Sequence, residues 1–393
     1  MIDYSKILTS TVCDIKPSGI RKFFDIANTM EGVISLGVGE PDFRTPWKIR
    51  KAGISSLEKC RTRYTSNKGL SELCDEVSVY MKRKYDLSYD PSREILITVG
   101  GSEAIDIAIR ALVNPGDEVI VPTPSFVCYE PIARMAGAKA VILETRAEDD
   151  FKLTPERLRA AITPKTKLLV LPYPNNPTGA ILTRDELEAI AEVLRGTNIA
   201  VLSDEIYAEL TYGIKHTSIA SIPDMRERTI IVSGFSKAYA MTGWRLGYIC
   251  APAPLLSEML KLHQYAIMCA PTMSQFAAIE ALKNGDSDIE YMKAEYNRRR
   301  VFIYEGLKAI GIDCFCPEGA FYIFPNISKF GLSSEEFCER LLYEEKCAIV
   351  PGVAFGESGE GFARISYAYS VKHISEALER IEKFTKKLEN EKK

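Results

Sequence analysis

The sequence is poor in the residues and patterns that identify metal-binding and disulfide-bonded proteins. It has only three histidines, and none of its ten cysteines shares the Cys-X-X-Cys spacing of zinc sites. Isolated cysteines in a reducing compartment are mostly small buried apolar side chains, so we expect no disulfide framework and no metal site. A nucleophile of the cysteine–histidine type is disfavoured for the same reason.

Long apolar runs and clustered charges are also missing. No stretch approaches the roughly 18 apolar residues of a membrane-spanning helix, and the N-terminal sequence MIDYSKILTS lacks the basic and apolar regions of a signal peptide. Charges of both signs are interspersed and the net charge is −3, so nothing predicts binding to nucleic acid or to a membrane. We therefore expect a cytoplasmic protein whose partners are small neutral or anionic molecules.

Short apolar runs alternate with amphipathic segments between residues 94 and 250. The chain has 393 residues, 46% of them apolar, which is enough for about two domains. Apolar strands separated by helices indicate a mostly parallel, doubly wound α/β sheet. We predict a large domain over 45–285 and a smaller α/β domain built from both termini, 1–44 and 286–393. The predicted strands are 94–99, 117–122, 138–144, 166–172, 199–204 and 229–234.

Capping residues mark several predicted helices. Thr154 is placed as an N-cap before a proline, and Thr183 with Glu186 has the spacing of a capping box. Ser370 is the predicted N-cap of a final amphipathic helix. The charged segment KKLENEKK (386–393) that follows predicts a frayed, solvent-exposed end.

Small, polar and aromatic residues concentrate where the predicted strands end. Each such segment alone has a structural explanation, as a helix N-cap, a turn or a surface charge. Because ligands of parallel α/β sheets bind at the carboxyl ends of the strands, the segments together predict a ligand site. They are Gly100-Gly101-Ser102, PTPSFVCY (122–129), PYPNNPTG (172–179), SDEIY (203–207) and SGFSK (233–237).

Lys237, which follows the last of these strands, indicates a particular chemistry. A lysine behind a buried strand is poorly placed as a solvated charge, but desolvation and nearby cations lower its pKa and let it form a Schiff base. Pyridoxal phosphate is the common cofactor held this way, and it also needs a phosphate site, an acid at its pyridine nitrogen and a stacking surface. The candidates are residues 100–102, Ser233, Ser236 and Arg245 for the phosphate, Asp204 for the acid and Phe126 for the stacking surface.

Five motifs resemble, in order and spacing, those of the class I and II aminotransferases, which belong to the fold-type I family of pyridoxal phosphate enzymes. The motifs are GEPDF (39–43), NNPTG (175–179), DEIY (204–207), the segment around Lys237 and MTGWR (241–245). The resemblance extends over about residues 18–370. It is closest to the prokaryotic aspartate and aromatic amino acid aminotransferases.

The resemblance implies a role for each candidate residue. Lys237 corresponds to the lysine that forms the Schiff base and moves the proton between the substrate Cα and the cofactor C4′. Asp204 corresponds to the acid at the pyridine nitrogen, and Tyr207 and Asn176 to the donors to the phenolic oxygen. The resemblance also implies that Phe126 stacks on the cofactor ring and that Tyr64 contacts the phosphate in the neighbouring subunit. The implied phosphate contacts within the chain are Gly101, Ser102, Ser236 and Arg245. The implied substrate contacts are Arg364, which clamps the α-carboxylate, and Gly39, Phe126 and Asn176.

One position departs from the family pattern. The family often has a phosphate-binding serine three residues before the lysine, where this sequence has Gly234. Ser233 and Ser236 are both possible substitutes. The preferred substrate side chain is also open, although Arg21 and Tyr129 lie in segments that often border this pocket.

The sequence therefore predicts an aminotransferase that moves the amino group of an L-amino acid, aspartate or aromatic, to a 2-oxo acid, with 2-oxoglutarate as the expected acceptor. The resemblance implies a homodimer with shared active sites. One alternative is a β-lyase for cystathionine or cysteine S-conjugates, which would use the same residues, although GEPDF favours the aminotransferases. A regulator that senses pyridoxal phosphate would need an added DNA-binding domain, for which SGIRKFFD at 18–25 leaves no room.

Overall fold

The computed structural model describes residues 2–17, 19 and 29–392. Its strands are β1 (Ile34–Ser35), β2 (Ile95–Thr98), β3 (Glu118–Thr123), β4 (Lys139–Glu144), β5 (Thr166–Leu171), β6 (Ala200–Asp204), β7 (Thr229–Gly234), β8 (Gly247–Cys250), β9 (Tyr322–Ile323), β10 (Cys347–Ala348), β11 (Val350–Pro351) and β12 (Ala363–Ser366). Its α-helices are Ser10–Cys13, Trp47–Glu58, Ser71–Tyr85, Gly100–Leu112, Tyr129–Met135, Pro155–Ala161, Arg184–Leu194, Ala253–Ala266, Thr272–Asn284, Asp286–Ala309, Ser334–Glu345 and Val371–Glu391.

A large sheet with the strand order β2-β8-β7-β6-β5-β3-β4 forms the centre of the molecule. Strand β8 is antiparallel to both of its neighbours, and the remaining pairs are parallel. The predicted mostly parallel α/β sheet is confirmed. Strand β8 was missing from the prediction because its four residues are too few to give a periodic pattern.

Helices cover both faces of this sheet. Val119 and Val121 on β3 pack in the same cluster as helix Gly100–Leu112, whereas Ile120 between them packs with helix Arg184–Leu194. Successive side chains of a strand point to opposite faces, so a strand covered on both sides needs apolar residues at every position. This explains the uninterrupted apolar runs of the sequence.

A second, smaller sheet has the order β11-β12-β9 and is antiparallel. Near it, β1 from the N-terminal part pairs in parallel with β10 from the C-terminal part. Buried residues of helices Asp286–Ala309, Ser334–Glu345 and Val371–Glu391 form the core of this region. Both ends of the chain therefore contribute to one packed unit, while the domain boundaries at residues 45 and 285 stay a prediction.

The predicted helix caps are confirmed. The Thr154 hydroxyl accepts a hydrogen bond from the N–H of Arg157, and Thr183 with Glu186 forms a complete capping box. The hydroxyl of Ser370 accepts from a backbone N–H in the first turn of the final helix. Such caps satisfy backbone donors that the helix itself leaves without partners.

The prediction of a frayed C-terminal end is wrong. The final helix continues to Glu391, and Leu388 on it is buried. Leu388 lies seven residues after the buried Ile381 and so falls on the same helix face. Glu391 also pairs with Arg340 at 3.0 Å, which fixes the last turn to a neighbouring helix.

The cysteines, all within the described residues, are free, and four of them are buried. Cys13 and Cys60 are exposed, so the expectation of buried cysteines is wrong for these two. Among the described residues no group of histidine, cysteine and acidic side chains could hold a metal ion. In the same part of the chain, no helix has the length and apolar character that crossing a membrane requires.

Candidate active site

One cavity of about 370 Å³ lies at the carboxyl ends of the central strands. A volume of this size is typical of small-molecule sites. All of the predicted site residues except Tyr64 line it. They are Gly39, Gly101, Ser102, Phe126, Asn176, Asp204, Tyr207, Ser236, Lys237, Arg245 and Arg364.

The two sheets bring these residues together. Asp204 is the last residue of β6, and Lys237 follows the end of β7 by three residues. Because β6 and β7 are parallel, both side chains lie at the same edge. Arg364 comes from β12 in the smaller sheet, and Gly39 from the segment after β1. The cavity thus lies between the two sheets.

The amine of Lys237 lies in this cavity and is held by the backbone. Its Nζ donates a hydrogen bond to the carbonyl oxygen of Gly39 at 2.7 Å. Burial lowers the pKa of Lys237 from its usual value of 10.5 to about 8; Glu40 opposes this effect, whereas Arg364 and Arg245 add to it. The side chain therefore has the neutral fraction that a nucleophilic amine needs.

Asp204 is a buried carboxylate with two hydrogen-bond donors. One oxygen accepts from the Tyr129 hydroxyl at 2.6 Å, and the other from the backbone N–H of Ile206 at 3.2 Å. Burial raises the pKa of Asp204, and these two hydrogen bonds oppose the rise. A cationic partner inside the cavity would stabilise the ionised carboxylate further.

The first turn of helix Gly100–Leu112 offers hydrogen-bond donors to an anion. Gly101 and Ser102 lie at its N-terminus, where backbone N–H groups lack partners within the helix. Gly100 has a φ of +77°, and a Cβ at this position would lie 2.7 Å from Nη2 of Arg245. The missing side chain allows the guanidinium to pack beside the helix terminus, so that amides and a cation converge as a phosphate requires.

Of the two serines proposed as substitutes for the family's phosphate-binding serine, Ser236 is the one that lines the cavity. The hydroxyl of Ser233 donates to the carbonyl oxygen of Glu205 at 3.3 Å and lies outside the lining. A Cβ at Gly234 would come within 2.9 Å of the Cα of Gly247 on β8. The close approach of β7 and β8 therefore leaves no room for a serine at position 234.

Arg364 is a buried cation whose hydrogen bonds go to neutral oxygens. It is 2% exposed and donates to Oδ1 of Asn176 at 2.9 Å and to the carbonyl oxygen of Gly37. Its Nε has no partner among the described residues. The guanidinium carbon lies 4.6 Å from the ring centroid of Tyr322 and 4.8 Å from that of Phe355. A buried charge without a counterion is costly, so this site suits a carboxylate ligand.

Two tyrosines of the site had no assigned role in the sequence. Tyr322 lines the cavity, and its hydroxyl lies 2.8 Å from that of Tyr207. Tyr129, noted only for its segment, holds Asp204. Tyr322 occurs in an apolar run, where an aromatic residue indicates core packing, so no sequence signal distinguished it. Tyr129 ends the segment 122–129 that helped to predict the site, and it does line the cavity, but the sequence did not indicate its contact with Asp204. Arg21 lies outside the described residues.

Tyr64 is the predicted site residue that does not line the cavity. Its side chain is 81% exposed. Within one chain the side chain therefore faces solvent rather than this cavity.

The cavity fits pyridoxal phosphate. The helix terminus, Ser236 and Arg245 offer donors to a phosphate, and Asp204 offers a carboxylate to a protonated ring nitrogen. Phe126 provides an aromatic surface, and Lys237 provides an amine of lowered pKa. The phosphate, the ring nitrogen, the ring face and the aldehyde of the cofactor thus each have a matching partner along the lining.

Comparisons with known proteins agree with this geometry. The model of the family "Aminotransferase class I and II" matches residues 31–381. The Bacillus subtilis protein named "Putative aminotransferase YugH" is 55% identical over 97% of this chain and 98% of its own length. The aspartate aminotransferase of Pyrococcus abyssi is 44% identical, with 94% of this chain and 96% of the relative covered.

A solved structure shares the fold over nearly the whole chain. The aromatic aminotransferase of Pyrococcus horikoshii superimposes with a TM-score of 0.89 at 42% identity, covering 94% of this chain and 99% of the other. The expected fold type I architecture is confirmed. The chain belongs to the class I and II aminotransferases, which are pyridoxal phosphate-dependent enzymes.

Proposed function

We propose that the protein transfers the amino group of an L-amino acid, aspartate or an aromatic one, to a 2-oxo acid, with 2-oxoglutarate as the acceptor. The observation that carries the proposal is Arg364, a buried cation with neutral partners in the same cavity as Lys237. A carboxylate on Arg364 would leave the amino group of the substrate close to the amine of Lys237. The names of the relatives, aspartate and aromatic aminotransferases, support the proposed donor class.

Residues at the strand ends would hold the cofactor. When bound, pyridoxal phosphate supplies an electron sink for the negative charge that develops at the substrate Cα. Asp204 would keep the ring nitrogen protonated, while Tyr207 and Asn176 would donate hydrogen bonds to the phenolic oxygen. Phe126 would stack on the ring, and the phosphate would be held by Gly101, Ser102, Ser236 and Arg245.

Lys237 would first anchor the cofactor and then move protons. Once free of the cofactor, its Nζ would accept the proton from the substrate Cα and return it at the cofactor C4′. The lowered pKa supports this task, because the amine must be neutral to accept a proton. Gly39, whose carbonyl oxygen accepts from Nζ, would hold the amine near the reacting atoms.

We also propose a twofold homodimer with shared sites. The exposed Tyr64 lies in a loop that Asn67 joins to the backbone of Met268 at 2.8 Å, and Tyr265 and Ile267 in that neighbouring segment are exposed as well. Exposed apolar side chains grouped in this way support an interface, across which Tyr64 would reach the phosphate of the other subunit. The two-domain division and the cytoplasmic location stay predictions.

A half-reaction with single amino acids tests the function. The holoenzyme is mixed with one L-amino acid at a time without any 2-oxo acid, and the visible absorbance of the cofactor is followed. We expect aspartate or an aromatic amino acid to lower this absorbance until a 2-oxo acid restores it. Continuous formation of pyruvate and ammonia from cystathionine or cysteine, without such a lasting change, would contradict the proposal.

The variant Arg364→Ala tests the carboxylate clamp in the same assay. We expect the half-saturating amino acid concentration to rise at least about tenfold, because a charge-assisted hydrogen bond to the carboxylate is lost. The matched control is the amine that lacks only the carboxylate, whose weak binding should not change. An unaltered half-saturating concentration for every amino acid would refute the clamp.

A further inference from the structure

We propose that Tyr322 is a positioning residue for the reaction. Its hydroxyl orients the Tyr207 hydroxyl so that Tyr207 donates its proton into the cavity, and its ring supports the guanidinium of Arg364. The inference rests on the proposed function, in which Tyr207 donates a hydrogen bond to the phenolic oxygen of the cofactor.

The contact between the hydroxyls of Tyr207 and Tyr322 supports the role of Tyr322 in orienting Tyr207. The oxygen atoms of Tyr207 and Tyr322 lie 2.8 Å apart, and both side chains are buried. Burial raises the pKa of both tyrosines, so each keeps its proton at neutral pH and can donate it. Either hydroxyl can be the donor in this pair. A phenol has one O–H donor, so Tyr207 can keep this contact and donate to an anionic oxygen in the cavity only when Tyr322 is the donor of the pair. Tyr322 therefore selects the productive direction of this hydrogen bond.

The ring of Tyr322 contacts a second part of the site. The guanidinium carbon of Arg364 lies 4.6 Å from its centroid, within the range of a cation–π interaction. The two residues come from neighbouring antiparallel strands, since β9 pairs with β12 through Ile323 and Ile365. Strand positions hold side chains more precisely than loops do. One side chain thus links the donor to the cofactor with the clamp for the substrate.

Gly39 leaves the space that the Tyr322 hydroxyl occupies. A Cβ at Gly39 would lie 2.3 Å from this hydroxyl oxygen. The carbonyl oxygen of Gly39 accepts the hydrogen bond from Lys237 Nζ. The position of Tyr322 therefore depends on a glycine that also contacts the reactive amine.

Removal of the hydroxyl alone tests the inference. The visible absorbance of the bound cofactor is titrated against pH, without substrate, in the wild type and in Tyr322→Phe. We expect the midpoint to move to higher pH by about 0.5 to 1 unit, the size that corresponds to one hydrogen bond of ordinary strength. Loss of the donor chain makes the deprotonated cofactor oxygen less stable, which raises its pKa.

Two further variants separate the possible outcomes. Tyr212→Phe is the matched control, because Tyr212 donates to the carbonyl oxygen of Ala320 at 2.6 Å in the same core but does not line the cavity. It should leave the midpoint unchanged. Tyr207→Phe should raise the midpoint more than Tyr322→Phe does.

A shift in Tyr207→Phe without one in Tyr322→Phe would overturn the inference and leave the role of Tyr207 intact. No shift in Tyr207→Phe would overturn the proposed role of Tyr207 and the inference with it. Equal shifts in Tyr322→Phe and Tyr212→Phe would mean a general loosening of the core, which also contradicts a specific role for Tyr322.

Discussion

Lys237 has a lowered pKa although charged side chains surround it. An exposed lysine would be almost entirely protonated at neutral pH. Burial lowers the pKa of Lys237 to about 8, and two arginines reinforce the effect against the opposing Glu40 and Asp204. Since the lowered pKa belongs to the folded protein, the neutral amine becomes the main form above about pH 8. An unperturbed lysine would reach this state only near pH 10.5.

The rate at which the cofactor-free enzyme captures pyridoxal phosphate should report this pKa. We expect the rate to increase about tenfold between pH 7 and its plateau, with a midpoint near 8, because only the neutral amine attacks. Stopped-flow absorbance measures the rate, and a lysine-containing peptide titrated in parallel corrects for ionisation of the cofactor itself. A rate that keeps rising steeply beyond pH 10 would contradict a lowered pKa.

Site residues that interrupt an apolar pattern can be predicted from the sequence, whereas site residues that continue such a pattern cannot. Asp204 ends one apolar strand and Lys237 follows another, where a charged residue is unexpected. Tyr322 stands in the apolar run AFYIF, where a tyrosine is equally consistent with core packing. Its contact with Tyr207 joins residues 115 positions apart in the chain. Only the packing of the second sheet against the first brings them together.

At the level of elements, local signals were sufficient for the helix starts but not for short strands. The Thr183 capping box lies within four consecutive residues, so the local sequence is enough to predict its geometry. Strands β8, β9, β10 and β11 have four residues or fewer, and they form by pairing with strands distant in the chain. The final helix was predicted too short because Leu388 stands among charged residues.

A side chain at position 39, in the segment after β1, should disturb the position of Tyr322. In Gly39→Ala the new Cβ would lie 2.3 Å from the Tyr322 hydroxyl oxygen and would push this hydroxyl aside. The midpoint of the pH titration of the cofactor absorbance should therefore rise by about 0.5 pH unit, as in Tyr322→Phe. In the Tyr322→Phe background the additional effect should be smaller, because the nearest remaining ring carbon is 3.2 Å away. The four midpoints form a double-mutant cycle.

The control for this cycle is Gly243→Ala, since no atom lies within 4 Å of a Cβ at that position. It should leave the midpoint at the wild-type value. Additive shifts from Gly39→Ala and Tyr322→Phe would mean that the two residues act independently and would remove the steric explanation.

For the whole molecule, the arrangement of the two sheets determines which site residues a single chain brings into the cavity. Central strand ends and the smaller sheet enclose the cavity, with Lys237 from the first and Arg364 from the second. The loop with Tyr64 is exposed on the surface, beside the exposed Tyr265 and Met268. If Tyr64 belongs to the site, it must act in another copy of the chain.

Hybrid dimers decide whether Tyr64 acts across the interface. Lys237→Ala should be inactive, and Tyr64→Ala should bind pyridoxal phosphate at least about tenfold more weakly, because a hydrogen bond to a charged group is lost. In a dimer of one Lys237→Ala chain and one Tyr64→Ala chain, the Tyr64→Ala chain keeps its own Lys237 and receives Tyr64 from its partner. One intact site per hybrid is therefore expected.

Equal mixing of the two variants, followed by subunit exchange, should give hybrids for half of the dimers and intact sites for about a quarter of all sites. Activity at a limiting cofactor concentration measures this recovery. The matched mixture of Lys237→Ala with Tyr265→Ala tests for effects of the exposed surface alone, and it should add no activity beyond that of unmixed Tyr265→Ala. If Tyr64 acted within its own chain, every site of the first hybrid would lack either Lys237 or Tyr64. No recovery would then occur, and the shared-site proposal would be wrong.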